Sequence, residues 1–271
     1  MTKPQTADPD PYDRIAAWYD LEHDSFQEDA ECYVSLVGAN AGPRARVLEV
    51  GGGTGRLAVA FALAGHPVTA VEPSVAMSNR AAARLRQLPE KVARRVPLVT
   101  GSAGNLGLAP VERFGAALMA QNLLAHLLIA EERERALASA ANALRPGGQL
   151  ILDVDLAGPQ RLLQASSRPW RQGTWSLRDG CGEVTHFVAA SLSYDARIVH
   201  LIHSYDVTGA DGAVSRTSAR MSLAMLSAGE VELALRHAGF TIEAIYGDYG
   251  CAPYEAGSER AIFDARLDTT L

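Results

Sequence analysis

Residues 46–55 read Arg-Val-Leu-Glu-Val-Gly-Gly-Gly-Thr-Gly, an apolar strand that runs into a turn with four glycines in five positions. Apolar residues at Leu57, Phe61 and Leu63 indicate that a helix follows. Glycines allow a sharp turn and let a ligand lie against bare main chain, while the first amides of the helix face into the turn. The stretch therefore predicts a strand–turn–helix unit that binds a nucleotide-type cofactor.

The spacing of the glycines distinguishes between cofactors. A dinucleotide-binding turn reads Gly-x-Gly-x-x-Gly/Ala, and counted from Gly51 the last position is Arg56. A P-loop needs Gly-Lys-Ser/Thr, and no lysine follows this turn. Arg56 thus disfavours an NAD(P)-dependent oxidoreductase, an alternative that nicotinamide binding would decide.

A second buried strand is predicted over residues 67–72, and it ends in Glu72, 17 residues after Gly55. A carboxylate at the carboxyl end of this strand can accept hydrogen bonds from both hydroxyls of a ribose. The simpler alternative is that Glu72 is a solvated acid at a strand end. The preceding glycine turn favours the ribose contact over that alternative.

Further strands are predicted over residues 96–100 and 114–120, and after the helix stop at Pro146-Gly147. Strands that alternate with helices predict an α/β fold with a parallel, doubly wound sheet. A chain of 271 residues with 48% apolar residues can bury such a core and carry a small additional element.

The pattern Glu-x-Gly-x-Gly-x-Gly at 49–55 resembles motif I of class I S-adenosylmethionine-dependent methyltransferases, in which this loop holds the methionine part of the cofactor. Leu-Arg-Pro-Gly-Gly at 144–148 is similar to the segment before strand five in this family. The resemblance spans about residues 12–155 and resumes at 229–267. It implies a Rossmann-like seven-stranded sheet and S-adenosylmethionine as cofactor.

Between strand five and the returning helix, residues 156–228 carry four predicted strands rich in Val, Ser, Thr and Tyr. The expected organisation is an N-terminal helical lid (1–45), a cofactor-binding domain (46–155 and 229–271) and an inserted antiparallel β cap (156–228). Helices are expected at Tyr12–Tyr19 and about Phe26–Val37 in the lid.

The cap and the N-terminal Tyr-Asp-x-Ile-Ala-x-x-Tyr-Asp (12–20) resemble the small-molecule group of the superfamily. That group includes glycine and sarcosine N-methyltransferases and the amino-sugar N,N-dimethyltransferases of macrolide pathways. The likeness is strongest to bacterial members that end in Tyr-Gly-Asp-Tyr (246–249) followed by Pro253-Tyr254, and it carries no acceptor with it.

The resemblance also implies the residues that contact the cofactor. Many members carry an acid where this chain has Ser102, so the adenine contact there would come from a hydroxyl. The candidate cofactor contacts are Tyr12, Tyr19, Glu49, Gly51, Gly53, Gly55, Glu72, Pro73, Met77, Ser102, Ala103, Gln121 and Asn122.

For catalysis the candidates are His126 and Tyr19. His126 follows the fourth strand at the carboxyl edge of the sheet, and an imidazole with an ordinary pKa near 6.5 suits proton removal. A structural histidine that caps the apolar run 123–129 is the alternative. The candidate substrate contacts are Tyr19, His126, Asp155, Tyr205, Tyr246 and Tyr249.

Three histidines lie in the predicted cap. His200 and His203 are three residues apart, so on a strand they face opposite sides and do not share a metal. His186 and Tyr205 could face the acceptor pocket, although surface positions are the simpler expectation. We expect no metal site.

Composition limits the partners. A net charge of −6 and the lack of a basic stripe argue against a nucleic-acid acceptor. The cations at 80–95 (Arg80, Arg84, Arg86, Lys91, Arg94 and Arg95) are expected to form a solvated face. The sequence has no run of 18 apolar residues and no signal peptide, which predicts no membrane association.

Cys32, Cys181 and Cys251, far apart in the sequence, are expected to be reduced thiols in a cytoplasmic protein. The inserted cap is a possible homodimer surface. Together these features predict a methyltransferase that acts on a small polar acceptor, most simply at an amine nitrogen. Alternatives are transfer to oxygen or carbon of a natural product, and a non-catalytic S-adenosylmethionine-binding protein.

Overall fold

The computed structural model describes residues 10–109, 113–156, 168–177, 180 and 182–269. It contains eleven described strands in two sheets, numbered in chain order. They are β1 (Val47–Val50), β2 (Val68–Glu72), β3 (Leu98–Thr100), β4 (Phe114–Met119), β5 (Leu144–Asp155), β6 (Trp170–Ser176), β7 (Gly182–Ser193), β8 (Ile198–Gly209), β9 (Val214–Ala224), β10 (Phe240–Tyr246) and β11 (Arg260–Leu267).

Eight helices are described around these strands. They are α1 (Pro11–His23), α2 (Glu28–Asn40), α3 (Arg56–Ala64), α4 (Val75–Leu85), α5 (Glu90–Ala93), α6 (Leu123–His126), α7 (Ala130–Ala143) and α8 (Ala228–His237).

The larger sheet has seven strands in the order β10-β11-β5-β4-β1-β2-β3, and β11 runs antiparallel to both of its neighbours. β1 lies at the centre, with Val47 opposite Val68 of β2 and Ala116 of β4. All residues of β1, β2 and β4 are buried, as expected for strands covered on both faces. This is the sheet that the sequence predicts.

The predicted turn at Pro146-Gly147 lies inside β5, which starts at Leu144. The pairing of β4 with β5 shifts register between Phe114 and Ala116, and Gly147 has a φ of +69°. The segment is therefore an irregularity in the strand, which the Pro-Gly pattern alone does not distinguish from a turn.

The smaller sheet is the predicted cap, with the antiparallel order β6-β7-β8-β9. Its inner face packs against α1, where Ile15 joins a buried cluster with Val184 and Val199. The ring of Trp18 stacks on Tyr205 with 5.2 Å between centroids. The predicted end of the first cap strand at Arg178, the following turn residue Asp179 and Cys181 lie outside the described residues.

Helix α1 begins one residue before the predicted start at Tyr12, because Asp10 caps it and Pro11 occupies its first turn. On its other side α1 is joined to α4. Asp20 pairs with Arg80 at 2.7 Å and with Arg84 at 2.8 Å. The expectation of a solvated face is therefore wrong for Arg80 and Arg84, since their partners come from a helix 60 residues away.

A buried carboxylate joins three distant elements. Asp153 of β5, 1% exposed, accepts hydrogen bonds from Tyr33 of α2 and, at 2.8 Å, from Tyr249, and it pairs with Arg260 of β11 at 2.9 Å. Arg260 also lies over the ring of Tyr249 at 4.1 Å. These contacts fix the loop between β10 and β11 against α2.

Two of the cysteines are neighbours in space. The Sγ atoms of Cys32 on α2 and Cys251 in the β10–β11 loop are 3.7 Å apart, and both are free thiols. Their separation in the sequence gave no indication of this contact. No helix among the described residues combines the length and apolar character that a membrane span requires.

Removing the cation next to Asp153 should destabilise the fold. We expect Arg260→Met to lower the free energy of unfolding by about 3 kcal/mol, because it leaves a buried carboxylate without its charge partner. Urea denaturation measures the change. Arg216→Met, which breaks the exposed pair with Asp206 in the cap, is the matched control and should change stability little. Equal losses in the two variants would contradict this account of Asp153.

Candidate active site

The glycine turn between β1 and α3 packs too closely for larger residues. A Cβ on Gly51 would lie 2.7 Å from Leu123 Cδ1, and one on Gly52 would lie 2.9 Å from the Cβ of Ala70. Gly51 and Gly53 also have positive φ values of +78° and +54°. The turn therefore exposes bare main chain at the carboxyl end of β1.

Glu72 at the end of β2 holds this turn. Its carboxylate accepts the backbone amides of Gly53 and Ser74, each at 2.8 Å. Burial raises the pKa of Glu72, although the two amides work against that rise. A carboxylate fixed in this way can turn its remaining lone pairs towards a ligand with two neighbouring hydroxyls.

A cavity of about 400 Å³ opens beside the turn, and we call it the glycine-loop cavity. Its lining includes most of the candidate cofactor contacts: Tyr12, Tyr19, Gly51, Gly53, Glu72, Pro73, Met77, Ser102, Ala103 and Gln121. The structure thus brings these residues together from α1, the ends of four strands and the start of α4.

Three candidate cofactor contacts lie elsewhere. Glu49 is buried under the turn, where burial raises its pKa to about 8 and its Oε2 has no hydrogen-bond partner among the described residues. Gly55 immediately precedes α3, and a Cβ added to it would lie 3.1 Å from the Cβ of Ala81. Asn122 borders a different cavity, described below.

Arg56, at the position that excludes a dinucleotide turn, has a structural partner. Its guanidinium pairs with Asp29 of α2 at 2.5 Å, and Asp29 also accepts Gln121 Nε2. Asp29 is fully buried. It was not identified as a site residue from the sequence, because the sequence of an amphipathic helix does not show which residue an acid on it will contact. Asp29 fixes both the start of α3 and the side chain of Gln121.

The segment after β4 is strained. Gln121 and Asn122 both have left-handed backbones, with φ values of +54° and +60°. Two such non-glycine residues cost about 1–3 kcal/mol each, and such strain is concentrated at functional sites. Asn122 Oδ1 accepts the amide of Asp155 at 3.3 Å, which joins the ends of β4 and β5.

His126 follows this segment and is joined to α1, since its Nε2 lies 3.2 Å from the Tyr12 hydroxyl. Burial lowers the pKa of His126 to about 4, so the imidazole is neutral near pH 7. Burial also raises the pKa of Tyr12 well above its ordinary value, so its hydroxyl stays protonated.

A second cavity of about 550 Å³ lies between α1 and the inner face of the cap, and we call it the cap cavity. Three of the candidate substrate contacts, Tyr19, Asp155 and Tyr205, line it. Two carboxylates, Glu22 and Asp155, face it, and no lysine or arginine is among its described lining residues. The surface expectation is wrong for His186 and Tyr205, each 2% exposed.

A third cavity of about 310 Å³, the bridging cavity, lies between the other two. His126, Asn122, Asp155 and Tyr249 border it. Tyr246, also a candidate substrate contact, lines none of these three cavities and packs against the core that contains Cys32 and Tyr33. Tyr12 and Gln121 border all three cavities, which places them where a cofactor and an acceptor would meet.

The comparisons with known proteins agree with this geometry. Residues 47–148 match the family described as "Methyltransferase domain". The solved CcbJ methyltransferase of Streptomyces caelestis is 25% identical, with a TM-score of 0.77 over 96% of this chain and 98% of its own. The chain carries a methyltransferase domain in a class I methyltransferase fold. The cofactor of this class is S-adenosylmethionine.

Two further solved structures share the fold. CalS10, an S-adenosylmethionine-bound amino pentose methyltransferase from Micromonospora echinaspora, is 23% identical over 92% of this chain and 94% of its own, with a TM-score of 0.69. KedS8, a sugar N-methyltransferase from Streptoalloteichus sp ATCC 53650, is 19% identical over 99% and 97%, with a TM-score of 0.72. No curated protein matches the sequence.

The residues of this methyltransferase fit its cofactor. The glycine turn offers main chain that a Cβ at Gly51 would obstruct, and the Glu72 carboxylate borders the same cavity. A volume of about 400 Å³ lies in the range typical of small-molecule sites. The side chains of Pro73 and Met77 supply an apolar wall for a base.

Truncation of Glu72 should weaken binding of the cofactor. We expect Glu72→Ala to raise the Kd for S-adenosylmethionine about 10- to 100-fold, because it removes charged hydrogen bonds and releases the Gly53 amide. Isothermal titration calorimetry measures the Kd. Glu90→Ala on exposed α5 is the control. Equal affinities of the Glu72→Ala and Glu90→Ala variants for S-adenosylmethionine would contradict the assignment of Glu72 as a cofactor contact.

The depressed pKa of His126 has a consequence for stability. Its value of about 4 in the fold lies below the ordinary 6.5, so the unfolded chain binds the proton more tightly. The stability contributed by neutral His126 is present above pH 6.5 and is lost as the pH falls towards 4.

We therefore expect the wild type to lose about 2 kcal/mol more stability than His126→Asn between pH 7 and pH 4.5. Denaturant titrations across this range measure the difference. At pH 8 the imidazole is neutral in both the folded and the unfolded protein. The difference in the free energy of unfolding between wild type and His126→Asn at that pH therefore reports the changed contacts and not protonation. Parallel curves for the two proteins would contradict a depressed pKa for His126.

Proposed function

We propose that this methyltransferase transfers the methyl group of S-adenosylmethionine to an amine nitrogen of a small metabolite. The observation that supports the choice of nitrogen is the charge of the cap cavity, which Glu22 faces as a carboxylate and whose described lining includes no lysine or arginine. A carboxylate in a half-buried cavity attracts an ammonium group and repels an acidic acceptor.

When bound, the cofactor supplies an electrophilic methyl group on sulfur, so the protein need not activate the methyl donor. The protein must instead hold the acceptor nitrogen in line and exclude water. Such positioning can supply about 7–11 kcal/mol of the barrier, whereas a general base adds about 10²–10⁴-fold, or roughly 3–5 kcal/mol. Positioning by Tyr12, Gln121 and the cap therefore carries most of the rate enhancement.

His126 and Tyr19 are proposed to act at the reacting nitrogen. Tyr19 lines both the cap cavity and the glycine-loop cavity, and burial raises its pKa to about 12, so its hydroxyl donates hydrogen bonds and does not act as a base near pH 7. His126, neutral and bonded to Tyr12, borders the glycine-loop and bridging cavities. Its position supports a role in orienting the acceptor.

The acceptor class that we favour is an amino sugar or a comparable amine of secondary metabolism. CalS10 is an amino pentose methyltransferase and KedS8 is a sugar N-methyltransferase, and both share this architecture including the length of the chain. Trp170 and Tyr205 give the cap cavity aromatic walls that suit the apolar face of a sugar ring.

The domain roles complete the proposal. The segment 1–45 acts as a lid, 46–155 with 229–271 binds the cofactor, and 156–228 binds the acceptor. Support comes from α1, which lies between the two larger cavities and contributes Tyr12 and Tyr19 to both. A homodimer through the cap and a cytoplasmic location stay predictions of the sequence.

Matched acceptors test the choice of nitrogen. The protein is incubated with methyl-deuterated S-adenosylmethionine and pairs of sugars that differ only in an amino or a hydroxyl group at one carbon. We expect mass spectrometry to find the labelled methyl group on the amino member of a pair, because the cavity favours an ammonium. Heat-inactivated protein is the control. Label on the hydroxyl members alone would overturn nitrogen as the acceptor atom.

A further inference from the structure

A polar network lies on the wall of the cap cavity, and its two histidines have no part in the function described so far. Glu22 of α1 lies 3.0 Å from His186 Nδ1 on β7, and His186 Nε2 lies 3.0 Å from His203 Nδ1 on β8. Tyr205 donates its hydroxyl to the other oxygen of Glu22. Glu22, His186 and His203 all line the cap cavity, and we call these three residues the relay.

The chemistry of Glu22 fixes the direction of the hydrogen bonds. Burial would raise the pKa of Glu22, but the hydrogen bonds from His186 and Tyr205 lower it, so Glu22 is a carboxylate that can only accept. His186 must then donate from Nδ1, and with a single proton on its ring the Nε2 atom is an acceptor. His203 in turn must donate from Nδ1.

This order leaves Nε2 of His203 unprotonated, with a lone pair that can accept a proton. That atom is buried and has no hydrogen-bond partner among the described residues. A buried polar atom without a partner destabilises the fold, and a network that only fastened the cap to α1 would not need one. His203 also borders the bridging cavity, which it shares with His126 and Tyr12.

From these contacts we infer that His203 is a catalytic residue that takes the proton from the acceptor amine, with His186 and Glu22 as positioning residues. The inference rests on the proposed function, because it requires an acceptor with an N–H group in the cap cavity. The proton moves from nitrogen to Nε2, and the charge on the imidazole is balanced by the carboxylate of Glu22 through His186.

The step balances. The acceptor enters as an ammonium ion, which has no lone pair, and one of its protons passes to His203 Nε2 and later to solvent. The freed lone pair forms the new N–C bond while the electron pair of the broken C–S bond stays on sulfur, and the methylated nitrogen leaves as an ammonium ion. Burial lowers the pKa of the bound ammonium group, and it also lowers the pKa of His203 to about 4, while the charge of Glu22 acts against that second fall.

His126 is the other candidate for accepting the proton, and its contacts differ from those of His203. Nε2 of His126 already lies 3.2 Å from the Tyr12 hydroxyl, whereas Nε2 of His203 is free of such a contact. The titratable groups that share a cavity with His203 are His186 on β7, Tyr205 on β8, Tyr12, Tyr19, Glu22 and His23 on α1, His126 on α6, Asp153 and Asp155 on β5, Tyr249, and Arg260 on β11.

The tautomer of His203 can be measured without turnover. In protein labelled with ¹⁵N at histidine, we expect His203 and His186 to carry their protons on Nδ1, with His203 Nε2 in the unprotonated form. Glu22→Gln should abolish this preference, because the amide no longer has to accept from His186. A proton found on His203 Nε2 in the wild type overturns the relay, whatever the protein methylates.

Chemical rescue tests the role in turnover. With an amine that the wild type methylates, we expect His203→Ala to lower kcat at least 100-fold, within the range for loss of a general base, and to leave the Kd for S-adenosylmethionine unchanged. Added imidazoles should restore kcat, and more basic imidazoles should restore more. A residue with a purely structural role would show neither effect.

His200→Ala is the matched control, since His200 lies on the same strand, is exposed and bonds only to Ser222. It should retain wild-type kcat. Rescue of His126→Ala but not of His203→Ala, or a kcat for His203→Ala within threefold of the wild type, overturns the proposal. Failure of the wild type to methylate any amine, with the expected tautomer present, overturns the proposed function and with it the proton transfer from an amine.

Discussion

The close packing of the turn after β1 is the constraint on which the rest of this methyltransferase depends. The chain must reverse there between Ala70 and Leu123, with no room for a Cβ at Gly51 or Gly52. Glu72 bonds the amide of Gly53 across the top of the sheet, so the end of β2 fixes the turn at the end of β1. Because the central strands are parallel, every other functional segment then meets this turn at the same edge.

Helix α1 transmits this arrangement to the cap. On one side Asp13 accepts the hydroxyl of Ser74, two residues after Glu72, at 2.6 Å, and Asp20 pairs with the arginines of α4. On the other side Glu22 bonds His186 and Tyr205 of the cap. One 13-residue helix therefore joins the cofactor edge of the sheet to the acceptor side.

Local patterns were enough to predict the sheet, the glycine turn, Glu72 and the cap strands. Each depends on residues within one strand–turn–helix unit, where the periodicity of apolar residues and the positions of glycine are informative. The structure of the segment around Pro146 was not predicted correctly, since Pro-Gly is compatible with a turn and with an irregular strand.

The parts that escaped prediction are pairs of polar residues far apart in the chain. Glu22 and His186 are separated by 164 positions, and Tyr33 and Asp153 by 120. Each residue of such a pair looks like a surface residue in its own segment, and its partner is defined only by tertiary packing. The inward position of His203 follows from strand alternation, but which face of the cap is inward depends on where α1 packs.

The position of α1 also links the two ligands thermodynamically. Tyr12 and Tyr19 border both the glycine-loop cavity and the cap cavity, so a ligand in either one contacts the same helix. If the first ligand alters the free energy of ordering α1, it alters the affinity for the second, and reciprocity requires the same factor in both directions. In that case the affinity for each ligand depends on the concentration of the other.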